Sequence, residues 1–502
     1  MSTQQPTFEL RSEEELSLDL IEAQYALKDS QDKKNAKSVL ILVSGIELAG
    51  KGEAVKQLRE WLDPRYLKVK ADAPKLLSAD ETFWQSYTRF IPAEGQIVVM
   101  FGNWYSDLLS TAMHVAKPLD ETLFDAYVEQ MRSFEHDLQN NNVHVIKVWF
   151  DLSWKSLQKR LDQIDASEQH WHKLHGLDWR NKKQYDTLQS LSQRFTDDWY
   201  VIDGEDAERR DQCFAQYILQ TLQELPVHQT KVTEKWQQAK IPNELLEPSK
   251  QVLDKDQYKD ELSKLTKKVA DALRYDDRKV IVALEGMDAA GKGGAIRRII
   301  APLDPREFTI HAISAPTEDE LKHAYLWRFW TRLPHDEMAD VDIAYLSQKF
   351  KRNKCVALLK QRLHNSRVTI FDRSWYGRVL VERIEGFAKE ADWQRAYDEI
   401  NRFENDLVQS NAIVVKFWLA ISEEEELKRF KAREETPNKQ FKITDDDWRN
   451  RAKWHEYVQA ASDMIHLTHH KKRPWYVIAT DDKYTARLKI LDAIISELSK
   501  NL

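Results

Sequence analysis

Two cysteines, Cys213 and Cys355, are all that the 502 residues contain. Two thiols make neither a disulfide framework nor a cysteine-based metal site. No apolar run approaches the roughly 18 residues that a spanning helix needs, so no membrane partner is expected. The opening stretch Met1–Leu10 has no basic segment and no apolar segment, so no secretory signal is expected and the cytoplasm is the expected compartment. Positive charge is not in excess either: Lys+Arg is 75 against Asp+Glu 82, a net charge of −7. That balance argues against nucleic-acid binding through bulk charge, yet leaves room for a polyanion in a locally basic groove. A hydrophobic content of 42% excludes wholesale disorder, and the length points to two large domains.

The chain repeats itself. Val39–Gly52 matches Val280–Gly293, and Leu62–Arg65 matches Leu303–Arg306, both 241 positions apart. Phe134-Glu135 matches Phe403-Glu404, Val145–Trp149 matches Val414–Trp418 and Trp179–Asn181 matches Trp448–Asn450, now 269 apart. Trp199–Ile202 matches Trp475–Ile478 at 276. Ordered matches across both halves mean a tandem duplication. The jump in spacing marks an insertion in the second copy at about 335–364. The expected layout is a first copy over 1–225, a proline-containing linker over 226–255 and a second copy over 256–502. In the second copy the apolar, β-branched runs predict strands over Lys279–Leu284, Phe308–Ile313, Val368–Phe371, Ile413–Leu419 and Trp475–Ala479. The amphipathic stretches Ala295–Ile300 and Leu321–Trp330 predict helices. Apolar strands alternating with helices predict a parallel sheet covered on both faces.

Gly286-Met-Asp-Ala-Ala-Gly-Lys292 has the spacing of a phosphate-binding loop, set between a predicted strand and a predicted helix. Gly286, Ala289, Ala290, Gly291, Gly293 and Gly294 would offer backbone N–H groups to an anion, and Lys292 a full charge. Residue 293 is glycine where common nucleotide loops carry the Ser or Thr that ligates Mg²⁺. Asp288, inside the loop, is the replacement the sequence offers. Asp372 ends the Val368–Phe371 strand, on the sheet edge where such folds bind ligands. Asp288 and Asp372 therefore suggest a Mg²⁺ site completed by phosphate oxygens, with Arg373 and Arg378 on phosphates. The basic stretch Lys428–Arg433, followed by Lys439, Lys442, Arg449 and Arg451, stands where small phosphotransferases carry a water-excluding lid.

These residues resemble the polyphosphate kinase 2 family, in its two-domain class of polyphosphate:AMP phosphotransferases. The resemblance rests on Glu285–Gly294, Leu303–Arg306, Ala315-Pro316, Leu326–Arg328, Phe371–Arg378 and Val381–Arg383. It implies a tandem pair of P-loop kinase-like, thymidylate-kinase-like α/β sandwiches with helical lids. The reaction it implies moves the terminal phosphoryl group of inorganic polyphosphate to AMP, giving ADP. Asp288, Lys292, Asp372 and Arg373 would be catalytic, with Asp288 and Asp372 on Mg²⁺. Arg297, Arg378 and Arg433 would contact phosphates, and Arg328, Tyr376 and Arg383 the acceptor. Single-domain members of the family assemble as oligomers, so the chain is expected as a pseudo-dimeric monomer or a homo-oligomer. The insertion departs from the family. Lys349–Arg362 holds six basic and no acidic residues, but it joins a helix to the start of a strand, the edge away from the ligand edge. A surface or interface helix is expected there.

The first copy keeps Gly45, Gly50 and Lys51, but Glu47 stands for Asp288. Phe101-Gly-Asn-Trp-Tyr, set against Phe371-Asp-Arg-Ser-Trp-Tyr, reads as a motif that has lost its acid and its arginine to Gly102 and Asn103, with one residue missing. One competent and one impaired copy are expected. His170, His172 and His175 read as a polar loop rather than a metal site. The competing functions are an ATP-dependent nucleoside monophosphate kinase and a non-catalytic phosphate or nucleotide sensor.

Overall fold

The computed structural model describes residues 6–30, 36–114, 119–163, 177–225, 237–276, 278–334, 367–437, 443 and 445–500. The 335–364 insertion, the three histidines at 170–175, and Lys439 and Lys442 lie outside the described residues. The chain divides into two units, one of residues 1–78, 83–229 and 316–331, the other of 79–82, 230–315 and 332–502.

Each unit is built on one five-stranded sheet. In the first, β1 (Ser38–Gly45), β2 (Leu67–Ala71), β3 (Ile97–Phe101), β4 (Val143–Asp151) and β5 (Tyr200–Asp203) lie in the order β2-β3-β1-β4-β5. In the second, β6 (Val280–Gly286), β7 (Phe308–Ala312), β8 (Val368–Asp372), β9 (Ile413–Ala420) and β10 (Trp475–Ala479) lie in the order β7-β8-β6-β9-β10. All registered pairs are parallel. The central strands β1 and β6 are buried on both faces up to their last glycine, as a parallel sheet covered by helices requires. All five strands expected in the second copy are present, four of them extended or trimmed by a residue or two at an end.

The expected helix over Leu321–Trp330 is not continuous. It is two single turns, Glu318–Leu321 and Trp327–Trp330, joined by a bend in which His323 and Trp327 N–H donate to Glu320 O and Ala324 O. Ala324, Tyr325, Leu326, Phe329 and Trp330 are all buried. At about 100° per residue, three consecutive apolar residues span about 200° of a helix, more than one amphipathic face can bury.

The helices that position the site are α1 (Lys51–Trp61), α2 (Glu121–Asn140) and α3 (Ala207–Gln223) in the first unit. In the second they are α4 (Lys292–Ile300), α5 (Glu390–Gln409), α6 (Glu423–Glu434), α7 (Asp445–Ala452), α8 (Trp454–Thr468) and α9 (Lys483–Ser499). Serine or aspartate N-caps open several of them: Ser422 accepts from Glu425 N–H and Asp482 from Thr485 N–H.

A buried ion pair is duplicated with the fold. Lys416 on β9 donates to Glu404 on α5 at 2.7 Å, both fully buried. Glu404 also accepts from the Trp375 indole at 3.0 Å and the Tyr376 hydroxyl at 2.6 Å. In the first unit Lys147 pairs with Glu135 at 2.9 Å, and the Trp104 indole donates to Glu135 at 2.9 Å. The Phe-Glu and Val-x-Lys matches of the sequence repeat are thus a buried charge with its partner. Their task is to seat the Trp-Tyr turn that follows the third strand of each sheet.

Candidate active site

Two backbone devices shape the loop after β6. Gly286 has φ +149°, and a Cβ there would lie 2.5 Å from Leu419 O, so only glycine lets the strand turn this close to β9. Ala289 sits at φ +60°, a left-handed conformation that costs a non-glycine residue about 1–3 kcal/mol. Arg429 from α6 offsets the cost. Its Nη1 donates to Ala289 O at 2.9 Å and to Ala290 O at 3.1 Å, and its Nη2 to Asp481 O at 2.5 Å. The first unit repeats the device: Leu48 has φ +60°, and Arg160 donates to Leu48 O at 2.5 Å and Gly204 O at 2.6 Å. Gly291, left-handed at φ +110°, then N-caps α4.

Lys292 folds back over the loop, its ammonium 2.8 Å from Gly286 O and 3.3 Å from Met287 O. Burial and the nearby Arg373 lower its pKa, against the pull of Asp288, Asp372 and Glu285. Asp288 is held from two sides: Arg373 Nη2 donates to Oδ1 at 3.1 Å and Asn450 Nδ2 to Oδ2 at 2.9 Å. Burial raises the Asp288 pKa, but Lys292, Arg373 and the Asn450 amide outweigh it, and the net shift is downward. The carboxylate is ionised and oriented. Asn450 is itself fixed by the Tyr457 hydroxyl, which donates to its Oδ1 at 3.2 Å, so α7 and α8 reach the loop through one amide.

Arg373 carries the second strained backbone, φ +61°. Ser374 N–H and Oγ–H donate to the buried Glu285 at 2.7 and 2.8 Å, which clips the turn after β8 to the end of β6. Burial pushes the Glu285 pKa up, against these bonds and Lys292.

The result is a cleft of about 490 Å³ at the carboxyl ends of β6 and β8. Asp288, Ala289, Ala290, Gly291, Lys292, Gly293, Gly294, Arg297, Asp372, Arg373 and Arg433 all line it, and Asp447 joins them. This is where the strand order reverses around β6, the place at which such sheets bind ligands. Gly286 shapes the loop from beneath. The remaining expected residues are elsewhere. Arg378 pairs with Glu382 at 2.8 Å. Arg383 pairs with the fully buried Asp463 at 2.8 Å and lies over the Trp393 ring. Tyr376 is buried with its hydroxyl on Glu404 and Lys416. Arg328 is buried, 3.4 Å from Glu320, in the 316–331 segment that groups with the first unit. None of these four lines the cleft.

The sequence did not single out Arg429, Glu285 or Asn450. Arg429 and Asn450 had a signal: each recurs in the first copy at the spacing of 269, as Arg160 and Asn181.

Strand register corrects one reading of the first copy. Val43 pairs with Phe101, and Leu284, its counterpart, pairs with Asp372. Phe101 therefore replaces Asp372, Gly102 replaces Arg373 and Asn103 replaces Ser374, with no residue missing. The shared phenylalanine of the two motifs misleads the eye by one position. Backbone and caps agree: Gly102 has φ +90°, and Asn103 accepts from Tyr105 N–H as Ser374 does from Tyr376 N–H. Lys51 remains over its loop, 2.6 Å from Ile46 O and 3.5 Å from Glu47.

A divalent cation fits the second unit's cleft. Among the described residues no group of three or more His, Cys, Asp or Glu is gathered for a metal. Two carboxylates beside a phosphate loop suit an ion that takes its other oxygens from phosphates and water.

A family model described as polyphosphate kinase 2 (PPK2) matches residues 10–230, 252–343 and 356–502. The chain belongs to the polyphosphate kinase 2 family. It carries two copies of the family's domain. A polyphosphate:AMP phosphotransferase of Acinetobacter johnsonii is 60% identical over 99% of this chain and 98% of its own length. A protein of the same description from Pseudomonas aeruginosa is 38% identical over 96% and 93%. A crystal structure described as a polyphosphate kinase 2 of Pseudomonas aeruginosa PA01 superposes with a TM-score of 0.77 at 36% identity, covering 99% of this chain and 98% of that one. The two parallel sheets, each with its phosphate loop, are the fold expected of a tandem P-loop kinase. Among the described residues no helix is long and apolar enough to cross a membrane.

Proposed function

We propose that this chain is a polyphosphate:AMP phosphotransferase and that the second unit carries out the transfer. The carrying observation is the cleft over the second phosphate loop, where Asp288, Lys292, Asp372, Arg373 and Arg433 converge. The near-full-length relatives named for this activity support the same reading. The first unit presents Glu47, Phe101 and Gly102 at the matching positions of its loop and third strand.

In the proposed reaction an oxygen of the AMP phosphate attacks the terminal phosphorus of the polyphosphate chain. The bond from that phosphorus to the bridging oxygen breaks, and its electron pair leaves with the shortened chain. A phosphate monoester is largely dianionic at pH 7, so the nucleophile needs no base. What opposes the reaction is repulsion between two polyanions, and what these residues supply is position and charge. The loop N–H groups and Lys292 receive donor phosphates. Arg373, forced into a left-handed turn, presents a guanidinium fixed by Asp288. Arg433 closes from α6, and α7 docks through Asn450. Asp288 and Asp372 would hold Mg²⁺, which when bound neutralises phosphate charge. Tyr376 and Arg383 stay in this proposal as supports of the acceptor side, acting through packing and ion pairs.

The test is AMP with long-chain polyphosphate and Mg²⁺, without ATP. ADP formation is the expected result. Activity with ATP alone would instead mark a nucleoside monophosphate kinase, and no activity with either donor a sensor.

A further inference from the structure

A second cleft, about 470 Å³, backs the phosphate loop of the second unit between α6 and α9. It shares Ala289, Ala290, Gly291, Gly294 and Arg433 with the cleft of Asp288 and Lys292, so the two adjoin at one loop. Its charged lining is Lys428, Arg429, Arg433, Lys483 and Arg487 against one carboxylate, Glu425. Glu425 is committed to Arg429 at 2.7 Å and Lys428 at 3.4 Å. Arg429 spends its donors on Glu425 and backbone carbonyls. Lys483 and Arg487, on the first turns of α9, add two cations to this lining, and Arg433 stands at the wall shared with the first cleft.

The first unit closes the same place. Helices α3 and α9 begin on matched N-caps, Asp206 and Asp482, so Lys483, Ala486 and Arg487 correspond to Ala207, Arg210 and Asp211. Arg210 is 5% exposed, pairs with Asp211 at 2.7 Å, and packs so tightly on Gly50 that an added Cβ would fall on its guanidinium. At Gly291, the counterpart of Gly50, an added Cβ meets nothing within 4 Å. One copy plugs the cleft and neutralises the plug. The other leaves it open and lines it with cations, and does so in the copy that has both Asp288 and Asp372.

We propose that this second cleft binds phosphate groups of the donor chain beyond the one transferred, and that Lys483 and Arg487 thereby set the preference for long over short polyphosphate. The proposal rests on the polyphosphate reading above. A chain whose end lies at Lys292 would pass the shared Arg433 to reach Arg487 and Lys483. A neighbouring cleft shares Lys428, Lys483, Arg487 and Glu425 and adds Lys250 together with Glu424, Asp481 and Asp482, a balanced lining that attracts an anion less.

The test compares the parent with Lys483→Ala/Arg487→Ala and with Ala486→Phe, which refills the cleft without adding charge. Binding of tripolyphosphate and of long-chain polyphosphate is measured by calorimetry without AMP, and KM and kcat are measured with both donors. In both variants the Kd and KM for long chains should rise about tenfold, while kcat and the values for tripolyphosphate stay within about twofold. The long-chain advantage of the parent should also shrink as salt is raised. Unchanged long-chain affinity in the folded double variant, or an equal loss for both donors, would overturn the proposal; should Ala486→Phe fail to fold, the double variant decides. A parent that binds long chains through this cleft yet makes no ADP would instead defeat the functional reading alone.

Discussion

Asp288 has each oxygen held by a different segment, Arg373 after β8 and Asn450 on α7. Such a carboxylate is useful for its charge rather than its shape. Asp288→Asn and Asp372→Asn keep the shape, and each should lower turnover with AMP by about 10²–10³ at saturating Mg²⁺. A variant keeping more than roughly half the parent rate would remove that residue from the site. The first unit offers a separate residue-level test. Asp107, at the position of Arg378, is buried and accepts from Lys75 N–H at 2.8 Å and the Tyr87 hydroxyl at 2.6 Å. Burial outweighs those bonds and pushes its pKa up to about 6. Between the unfolded carboxylate value, about 3.9, and that raised value, the folded chain binds the extra proton, so this group's contribution to stability is lost as pH rises through the window. Asp107→Asn cannot titrate. The stability difference between parent and variant in urea unfolding should therefore move in the parent's favour on going from about pH 7.5 to about pH 4.5. A constant difference would mean that the carboxyl titrates alike in both states.

Among the elements, strands and the phosphate loop were legible because their signals are local: apolar β-branched runs of the right length, glycines where the backbone must turn left, and a lysine at the helix start. What long-range geometry decides was not. Lys428–Arg433 reads as one basic run, yet Lys428 is exposed, Arg433 faces the cleft, and Arg429 is a structural clamp on Ala289 and Ala290. Nothing in the composition of α6 separates these roles, because they depend on which side of the helix meets the loop. Tyr376 shows the same limit: the family resemblance implied an acceptor contact, but its hydroxyl is spent on Glu404. Arg429→Ala should thus act through the loop. Turnover should fall by about tenfold or more, with a lower unfolding temperature, since Ala289 and Ala290 lose a charged donor from buried carbonyls. Equal stability and activity in the variant would show that the loop holds its left-handed turn unaided. By chain order the 335–364 insertion lies between the Trp327–Trp330 turn and β8. Replacing 337–362 with a short turn should leave turnover within a few-fold of the parent, and a loss of about a hundredfold in a folded variant would put the insertion at the site.

For the whole molecule, the two units share what builds the sheet and differ at the cleft that the proposal makes the site of transfer. Glu135–Lys147 and Glu404–Lys416, the Arg160 and Arg429 clamps, and the left-handed Leu48 and Ala289 persist in both units. The differences gather at the cleft: Glu47 for Asp288, Phe101 for Asp372 and Gly102 for Arg373. A glycine at the left-handed position relieves the strain that Arg373 bears and gives up its guanidinium. Lys51 and Lys292 remain equivalent, each with its ammonium on the carbonyls of its own loop. They allow the most direct test of the claim that the second unit alone transfers phosphate: turnover of Lys292→Ala and of Lys51→Ala, side by side, with AMP, long-chain polyphosphate and Mg²⁺. Lys292→Ala should lose two or more orders of magnitude, roughly the cost of removing a charge that faces the transferring group, while Lys51→Ala stays near the parent rate. Comparable losses in the two variants would contradict the account.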